Sequence, residues 1–140
     1  MVLVDTSIWI RFLAGTEPYA SKLDRLLSND EVLGHDFVYG ELLIGDGGAR
    51  AKLLAEYEVM RQASSVANLE VVEFVRHHKI NGRGIGWIDA HLLASAIVAS
   101  SRFWTADRPL AAVAQDIGVA YRLYCYPRRW PIHKSNAVVC

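Results

Sequence analysis

The sequence has few cysteines, no excess of charge of either sign and no apolar run of membrane-spanning length. Only two of its 140 residues are cysteines, Cys125 and Cys140, and both lie near the C-terminus. Their number and spacing exclude a disulfide framework and a cysteine-based zinc site, so reduced thiols are expected. The most apolar helical stretch, residues 88–101, contains an aspartate and a histidine and is too short to span a bilayer. Charged residues also interrupt the N-terminal apolar segment, so we expect no signal peptide and a cytoplasmic location.

The charges are balanced overall but unevenly distributed. Fifteen Lys and Arg are matched by fifteen Asp and Glu, a formal net charge of +0, which argues against bulk electrostatic capture of nucleic acid. Residues 1–60 carry ten acids and five bases, a charge of −5, and residues 61–140 carry five acids and ten bases, a charge of +5. A random distribution of charged residues can produce this asymmetry, and so can selection for binding a charged partner.

Short apolar segments alternate with amphipathic segments along the chain. Residues 1–4, 31–34, 102–105 and 118–121 have the composition of short strands, and the segments between them show helical periodicity. This alternation predicts a parallel sheet with helices on both faces. Because 52% of the 140 residues are hydrophobic, the chain has enough apolar side chains for the core of one domain.

Two segments leave the interpretation open. Residues 69–75 have the β-branched content of a strand and the apolar spacing of a helix, and we favour a helix with Asn68 as its cap. We assign one domain to residues 1–126 and a C-terminal tail, irregular in part, to residues 127–140. Aromatic and basic residues are interleaved from Arg122 onward, which fits a tail packed on the domain better than a stacking surface for single-stranded RNA.

Four acids have suggestive positions. Asp5 ends the first strand, Asp107 lies just beyond residues 102–105, Asp89 is in the first turn of a helix, and Glu41 lies inside an apolar helical stretch. Each has a structural explanation when taken alone, as a turn former, a helix cap, a helix N-terminal acid or the partner of an arginine. In a parallel sheet, however, strand ends and helix starts converge at one edge, where ligands bind. We therefore predict that the four carboxylates meet, because an unpaired buried acid is costly.

A cluster of carboxylates indicates a hard metal ion. Carboxylates that lie close together repel one another and raise their own pKa values, and a divalent cation relieves that repulsion. Oxygen ligands favour Mg²⁺ or Mn²⁺ over Zn²⁺. A water bound to such an ion can attack a phosphodiester while the ion stabilises the developing charge. No histidine is an obvious general base, which agrees with a metal-activated water.

Four segments of the sequence resemble the PIN domain, and in particular the VapC-type toxins of toxin–antitoxin pairs. They are Val-Asp-Thr-Ser-Ile-Trp at 4–9, Gly-Glu-Leu-Leu at 40–43, Gly-Ile-Gly-Trp-Ile-Asp-Ala-His-Leu-Leu-Ala-Ser-Ala at 84–96, and Trp-Thr-Ala-Asp-Arg-Pro-Leu at 104–110. The resemblance covers residues 1–121, with the motifs in family order. The long third segment is the most specific, and the chain after about residue 126 does not align.

The resemblance implies an α/β fold, a three-layer α/β/α sandwich with a central parallel sheet of four to five short strands. It implies a Mg²⁺- or Mn²⁺-dependent endoribonuclease, the toxin of a type II toxin–antitoxin system. The implied metal site consists of Asp5, Glu41, Asp89 and Asp107, and Thr6 and Thr105 support it through hydrogen bonds. The implied partners are RNA, such as tRNA or ribosomal RNA, a VapB-type antitoxin that covers the apolar helix at residues 8–13, and a second copy of the chain in a homodimer.

The RNA contacts and the alternatives to a toxin are less well defined. Arg76, Lys79 and Arg83 lie around the glycine-rich loop and can meet phosphates, although a solvated helix face is the simpler explanation. The first alternative function is that of a PIN nuclease for RNA processing. The second is a PIN-like binding module whose acids serve the fold or a partner. A phosphatase with Asp5 as nucleophile is disfavoured, because Ser7 stands where a second acid is needed.

Overall fold

The structure is a computed structural model, and it describes residues 1–123. Its centre is a parallel sheet of three short strands, β1 (Val2–Val4), β2 (Val32–Leu33) and β3 (Arg102–Trp104), in the order β2-β1-β3. Val2 pairs with Val32 on one side and with Arg102 on the other. Because all three strands are parallel, their carboxyl ends lie at the same edge of the sheet.

Seven helices surround the sheet within residues 1–123. They are α1 (Thr6–Leu13), α2 (Tyr19–Ser28), α3 (Asp36–Ile44), α4 (Ala51–Glu58), α5 (Asn68–His77), α6 (Trp87–Val98) and α7 (Arg108–Asp116). All three residues of β1 are buried. Since neighbouring side chains of a strand point to opposite faces, both faces of β1 are covered. The predicted α/β class is confirmed.

The core lies between the sheet and the helices packed on it. A short strand such as β1 buries few atoms, so most of the buried apolar surface comes from helical and aromatic side chains. The largest fully buried side chains are Trp9, Trp104, Tyr57, Phe103, Leu3, Ile8, Leu23, Leu42, Leu92, Leu93, Leu110 and His35.

The ambiguous segment at 69–75 lies within α5, as the apolar spacing predicted. Val71 is fully buried against Ala90 and Ala94 of α6, whereas Leu69 is 81% exposed. The predicted cap is wrong, because Asn68 is already the first helical residue. Ala67 precedes it in an extended conformation with no side-chain cap hydrogen bond.

The predicted number of four to five strands is not confirmed, because the described residues form a three-stranded sheet. Residues 118–121 make a single parallel bridge, between Ala120 and Phe103. The backbone amides of Val119 and Ala120 donate to Ala114 at the end of α7, at 2.9 and 3.2 Å, instead of extending a strand ladder. A second single bridge joins Gly34 to Gln62 beyond β2. The sheet therefore has one-residue extensions on both sides.

The C-terminal assignments fall largely outside the described residues. The tail at 127–140, with its interleaved aromatic and basic side chains, lies outside them, and the domain boundary at residue 126 stays a prediction. Within residues 1–123, none of the helices has the length and apolar content needed to cross a membrane.

Candidate active site

Asp5 lies at the carboxyl edge of the sheet, immediately after β1. Its backbone amide donates to the carbonyl of Trp104 at 2.9 Å, which extends the pairing of β1 with β3 by one step. Asp5 is buried, and only 6% of its surface is exposed. The ladder therefore brings the start of the chain beside the segment that follows β3, about a hundred residues later.

Two hydrogen bonds hold the Asp5 carboxylate, one from each strand end, and a third fixes one of the two donors. Ser7 Oγ donates to Asp5 Oδ2 at 2.7 Å, and Thr105 Oγ1 donates to the same oxygen at 2.8 Å. Ser7 Oγ accepts in turn from the backbone amide of Ala106 at 3.0 Å. Because these hydroxyl donors carry no charge of their own, they orient the Asp5 carboxylate and leave it available to bind a cation.

Glu41 reaches the same region from α3. Its Oε2 accepts a hydrogen bond from Thr6 Oγ1 at the start of α1. The sequence interpretation placed Glu41 among core residues, and this was wrong, because Glu41 is exposed while Leu42 beside it is fully buried. Leu43 and Ile44 are also exposed, so α3 has an apolar sequence but only one buried side.

Asp89 and Asp107 each stand at the N-terminus of a helix. Asp89 Oδ2 accepts from the backbone amide of Gly86 at 2.9 Å, at the start of α6. Asp107 Oδ1 accepts from the backbone amide of Leu110 at 3.0 Å and caps α7. Both acids thus serve as the structural caps that each suggested when taken alone. These bonds occupy one oxygen of each carboxylate.

The electrostatics couple three of the four acids. Burial raises the pKa of Asp89 above its ordinary value, and the hydrogen bond from Gly86 opposes that increase. The negative charges of Asp5 and Asp107 raise the pKa of Asp89 further. Asp5 and Asp107 therefore both lie close enough to Asp89 for their charges to act on it. No lysine or arginine is among the hydrogen-bond or ion-pair partners of these three acids within residues 1–123.

The donor chemistry fits a hard divalent cation, although the side chains do not form a closed ligand set. Across residues 1–123, no three His, Cys, Asp or Glu side chains lie in a position to hold one ion together. Mg²⁺ does not require such a cage, because it is commonly held by one or two carboxylates, waters and substrate phosphates. Oxygen-only donors and uncompensated negative charge are the features that such an ion needs.

Comparisons with known proteins identify the family of the chain. A family model described as "PIN domain" matches residues 2–116. The chain is also 38% identical over 121 residues to the protein named Ribonuclease VapC32 from two strains of Mycobacterium tuberculosis, CDC 1551 / Oshkosh and ATCC 25618 / H37Rv. Those alignments cover 86% of this chain and 95% of each relative. This chain belongs to the PIN-domain family, in its VapC-type branch.

A solved structure has a similar fold. PAE2754 from Pyrobaculum aerophilum superimposes with a TM-score of 0.55 at 18% sequence identity, over 86% of this chain and 87% of that one. At such low identity, the similarity concerns the fold alone. The fold that carries the four acids therefore also occurs in a solved structure.

Ser7 is the residue of this PIN domain that the sequence interpretation missed. It was considered only as the residue that stands where a phosphatase needs a second acid, whereas its hydroxyl bonds Asp5 and lies 3.3 Å from Thr105 Oγ1. The available signal was its position two residues after Asp5 at a strand end, because short hydroxyl side chains often bond neighbouring polar groups there. Thr6, by contrast, donates its hydroxyl to Glu41.

The three basic residues predicted to meet RNA differ in their surroundings. Arg83 makes an ion pair of 2.7 Å with Asp116, and Arg76 pairs with Glu73 at 3.1 Å across an exposed helix face. Lys79 lies just beyond α5, with a left-handed backbone at φ 52°. An exposed pair such as Arg76–Glu73 is weak, and contact of Arg76 with RNA stays a prediction. The shorter pair of Arg83 makes it the poorer candidate.

Proposed function

We propose that the protein is a Mg²⁺- or Mn²⁺-dependent endoribonuclease and the toxin of a type II toxin–antitoxin system. The observation that carries the proposal is the charge of Asp5 and Asp107 acting on the half-buried Asp89 at the carboxyl edge of the sheet. A VapC-type PIN domain with such a cluster is suited to phosphodiester hydrolysis. Nucleases of this type generally depend on a divalent metal, and the ribonuclease name of the 38%-identical relatives supports the same activity.

Each acid has a proposed role. Asp5, Asp89 and Asp107 would hold the metal, and Glu41 would bind it directly or through water and help to orient the nucleophile. When bound, the ion would supply an activated water and charge stabilisation at the phosphate. Thr6 would fix the rotamer of Glu41 through the hydrogen bond between them. Thr105 would fix Asp5, at 2.8 Å from its carboxylate.

The proposed partners are RNA, a VapB-type antitoxin and a second copy of the chain. The RNA would be tRNA or ribosomal RNA cleaved at an unpaired loop. The antitoxin would cover α1, where Ile10 and Leu13 are 41% and 40% exposed although the helix is otherwise packed on the core. A homodimer is the expected state of the toxin.

The metal site is tested by thermal stability. Ligand that binds only the native state stabilises it by about 2.7 kcal/mol at a hundredfold excess over Kd. We expect Mn²⁺ to raise the Tm of the wild type by several degrees and to leave the Asp5→Asn/Asp89→Asn variant unchanged. Asp24→Asn is the matched control, because it removes one exposed carboxylate from α2. An equal shift in the double variant would place the metal elsewhere.

The activity is tested on RNA and in cells. We expect purified wild type to cleave a structured RNA with Mg²⁺ and to stop when the metal is chelated, and Asp5→Ala to be inactive but folded. Induced expression should arrest growth with wild type and not with Asp5→Ala. RNA cleavage without growth arrest would instead favour an RNA-processing PIN nuclease. Folded wild type that binds RNA without cleaving it would favour the binding module.

A further inference from the structure

Trp87, the first residue of α6, presents a large aromatic surface to solvent. The side chain is 46% exposed, which is high for tryptophan in a folded domain. Its orientation is constrained, because the ring packs edge to face on His91 with centroids 4.8 Å apart and an interplanar angle of 90°. His91 is itself buried and packs on Phe37 at 5.0 Å. The exposed ring is therefore held by the core.

Trp87 forms one wall of an open cleft between α5 and α6. The cleft has a volume of about 460 Å³ and is lined by Val72, Val75, Arg76, Asn81 and Trp87. A volume of this size is within the range of small-ligand pockets. Its lining combines an aromatic face, an aliphatic floor, one guanidinium and one amide. These groups suit a planar ring with polar edges and a nearby anion better than they suit an aliphatic chain.

The surroundings of the cleft favour an anionic ligand. Residues 74–88 contain no Asp or Glu, and they include Arg76, Lys79 and Arg83. Arg83 is paired with Asp116, while Lys79 has no ion pair among the described residues. This basic segment adjoins the acidic edge that begins at Asp89. A phosphate backbone that approaches the acids thus passes a region of complementary charge.

The cleft lies beside the acidic site because Trp87 and Asp89 share the first turn of α6. Two residues apart on a helix, their Cα atoms are separated by about 5.4 Å. Their side chains leave the helix in different directions, and Asp89 turns back to the amide of Gly86. The two side chains leave nearly opposite sides of this turn, so a phosphate at Asp89 and a base at Trp87 would belong to nearby nucleotides of a strand that passes around the N-terminal end of α6.

We propose that this cleft receives an unpaired base of the RNA a short distance along the strand from the scissile phosphate. The base stacks on the exposed face of Trp87, and Arg76 leaves Glu73 to bind the adjoining phosphate. Aromatic stacking accepts every base, so the cleft selects single-stranded over paired RNA. The proposed base-binding role of the cleft rests on the proposed ribonuclease function. The test nevertheless measures RNA binding and does not require cleavage.

The experiment measures binding of a fluorescein-labelled, single-stranded oligoribonucleotide of mixed sequence to protein in the Asp5→Asn background. We expect Trp87→Ala to raise Kd roughly 5- to 100-fold, since stacking of one base has that range of effect. Trp87→Phe should restore most of the affinity, and Arg76→Gln should weaken binding and flatten its salt dependence. Leu69→Ala is the matched control, because Leu69 is an 81% exposed apolar residue of α5 outside the cleft.

A set of oligonucleotides with one abasic position each distinguishes stacking from general loss of affinity. At one of these positions, loss of the base should weaken binding to the protein with Trp87. The same loss should not change binding to Trp87→Ala. Unchanged affinity of Trp87→Ala would overturn the proposal. So would a loss of affinity that follows dissociation of a homodimer in sedimentation, because the cleft would then hold a second copy of the chain. Absence of cleavage by otherwise active-site-intact protein would refute the proposed function and leave the binding result to stand by itself.

Discussion

His35 and Ser95 form a buried hydrogen bond, with Nε2 and Oγ 3.0 Å apart, between the segment that begins α3 and the middle of α6. His35 Nδ1 accepts from the backbone amide of Phe37 at 3.0 Å, so the neutral ring carries its hydrogen on Nε2 and donates to Ser95. α3 carries Glu41 and α6 carries Asp89. One side-chain pair thus links the two helices that bring these acids to the edge of the sheet.

Ser95→Ala should destabilise the protein by about 1–3 kcal/mol, because it leaves the Nε2 hydrogen of His35 buried without an acceptor. The measurement is urea unfolding followed by circular dichroism. Ser65→Ala is the matched control, since Ser65 is exposed and a surface change of this kind stays within about 0.5 kcal/mol. Equal stability of the two variants would show that the His35–Ser95 bond contributes nothing.

The same histidine should make stability depend on pH. Burial lowers the pKa of His35 below its ordinary value of 6.5, with Asp36 opposing and His91 adding to the decrease. Tyr57 also faces His35, and its hydroxyl accepts from the His35 amide at 2.8 Å. Because the folded state holds this proton less tightly than the unfolded state, the contribution of His35 is fully present above 6.5 and is lost as pH falls below that value.

We therefore expect the free energy of unfolding to fall between about pH 7 and pH 5, by at most about 1.4 kcal/mol per pH unit from this one group. His35→Asn keeps a side-chain acceptor at the N-terminus of α3 and should flatten the slope, although it lowers stability at pH 7. Urea titrations at several pH values make the comparison. An unchanged slope in His35→Asn would assign the pH dependence to other groups.

The sequence was sufficient for the fold class because the apolar spacing of each long element agrees with its burial. α5 illustrates this, since Val71 is buried in spite of the β-branched content that argued for a strand. The strand count was not predictable, because residues 118–121 have strand composition while their first amides bond back to α7. Local composition does not determine to which carbonyl oxygen a backbone amide will donate its hydrogen bond.

The candidate site was only partly predictable. Positions at strand ends and helix starts predicted that Asp5, Asp89 and Asp107 meet, and the charges of Asp5 and Asp107 raise the pKa of Asp89. Their role as metal ligands stays a prediction. The supporting contacts depend on pairings far apart in sequence, such as Thr105 with Asp5 and Thr6 with Glu41. The periodicity of α3 also could not show that Glu41 faces solvent, because its neighbours Leu43 and Ile44 are exposed too.

Mn²⁺ affinity and RNA cleavage should depend on the hydroxyl of Thr105 and not on its methyl group. Thr105 Oγ1 donates to Asp5 at 2.8 Å and accepts from the amide of Asp107 at 3.1 Å. Thr105→Val should lower Mn²⁺ affinity and RNA cleavage about 10- to 100-fold, the usual range for groups that orient a metal ligand. Thr105→Ser should stay within a few-fold of wild type. If both variants behave alike, Thr105 acts through packing and not through Asp5.

Ser7→Ala should also lower Mn²⁺ affinity and RNA cleavage, by a factor similar to that of Thr105→Val. The Ser7 hydroxyl donates to Asp5 Oδ2 at 2.7 Å and accepts from the backbone amide of Ala106 at 3.0 Å. Titration with Mn²⁺ and a cleavage assay at saturating metal separate weakened metal binding from misplacement of Asp5. Ser21→Ala is a suitable control, since Ser21 makes a comparable 2.6 Å bond to Glu17 on the exposed start of α2. Full activity of Ser7→Ala would leave Thr105 alone as the residue that orients Asp5.

Arg83 and Asp116 should couple weakly in stability and contribute little to RNA binding. Their ion pair of 2.7 Å joins the glycine-rich loop before α6 to the end of α7, with side chains 34% and 59% exposed. A double-mutant cycle of Arg83→Ala and Asp116→Ala should give about 0.2–1 kcal/mol, decreasing at high salt. Because Asp116 already neutralises the guanidinium, Arg83→Ala should weaken RNA binding less than Arg76→Gln. A larger loss for Arg83→Ala would mean that RNA displaces Asp116, and Asp116→Ala would then bind RNA more tightly than wild type.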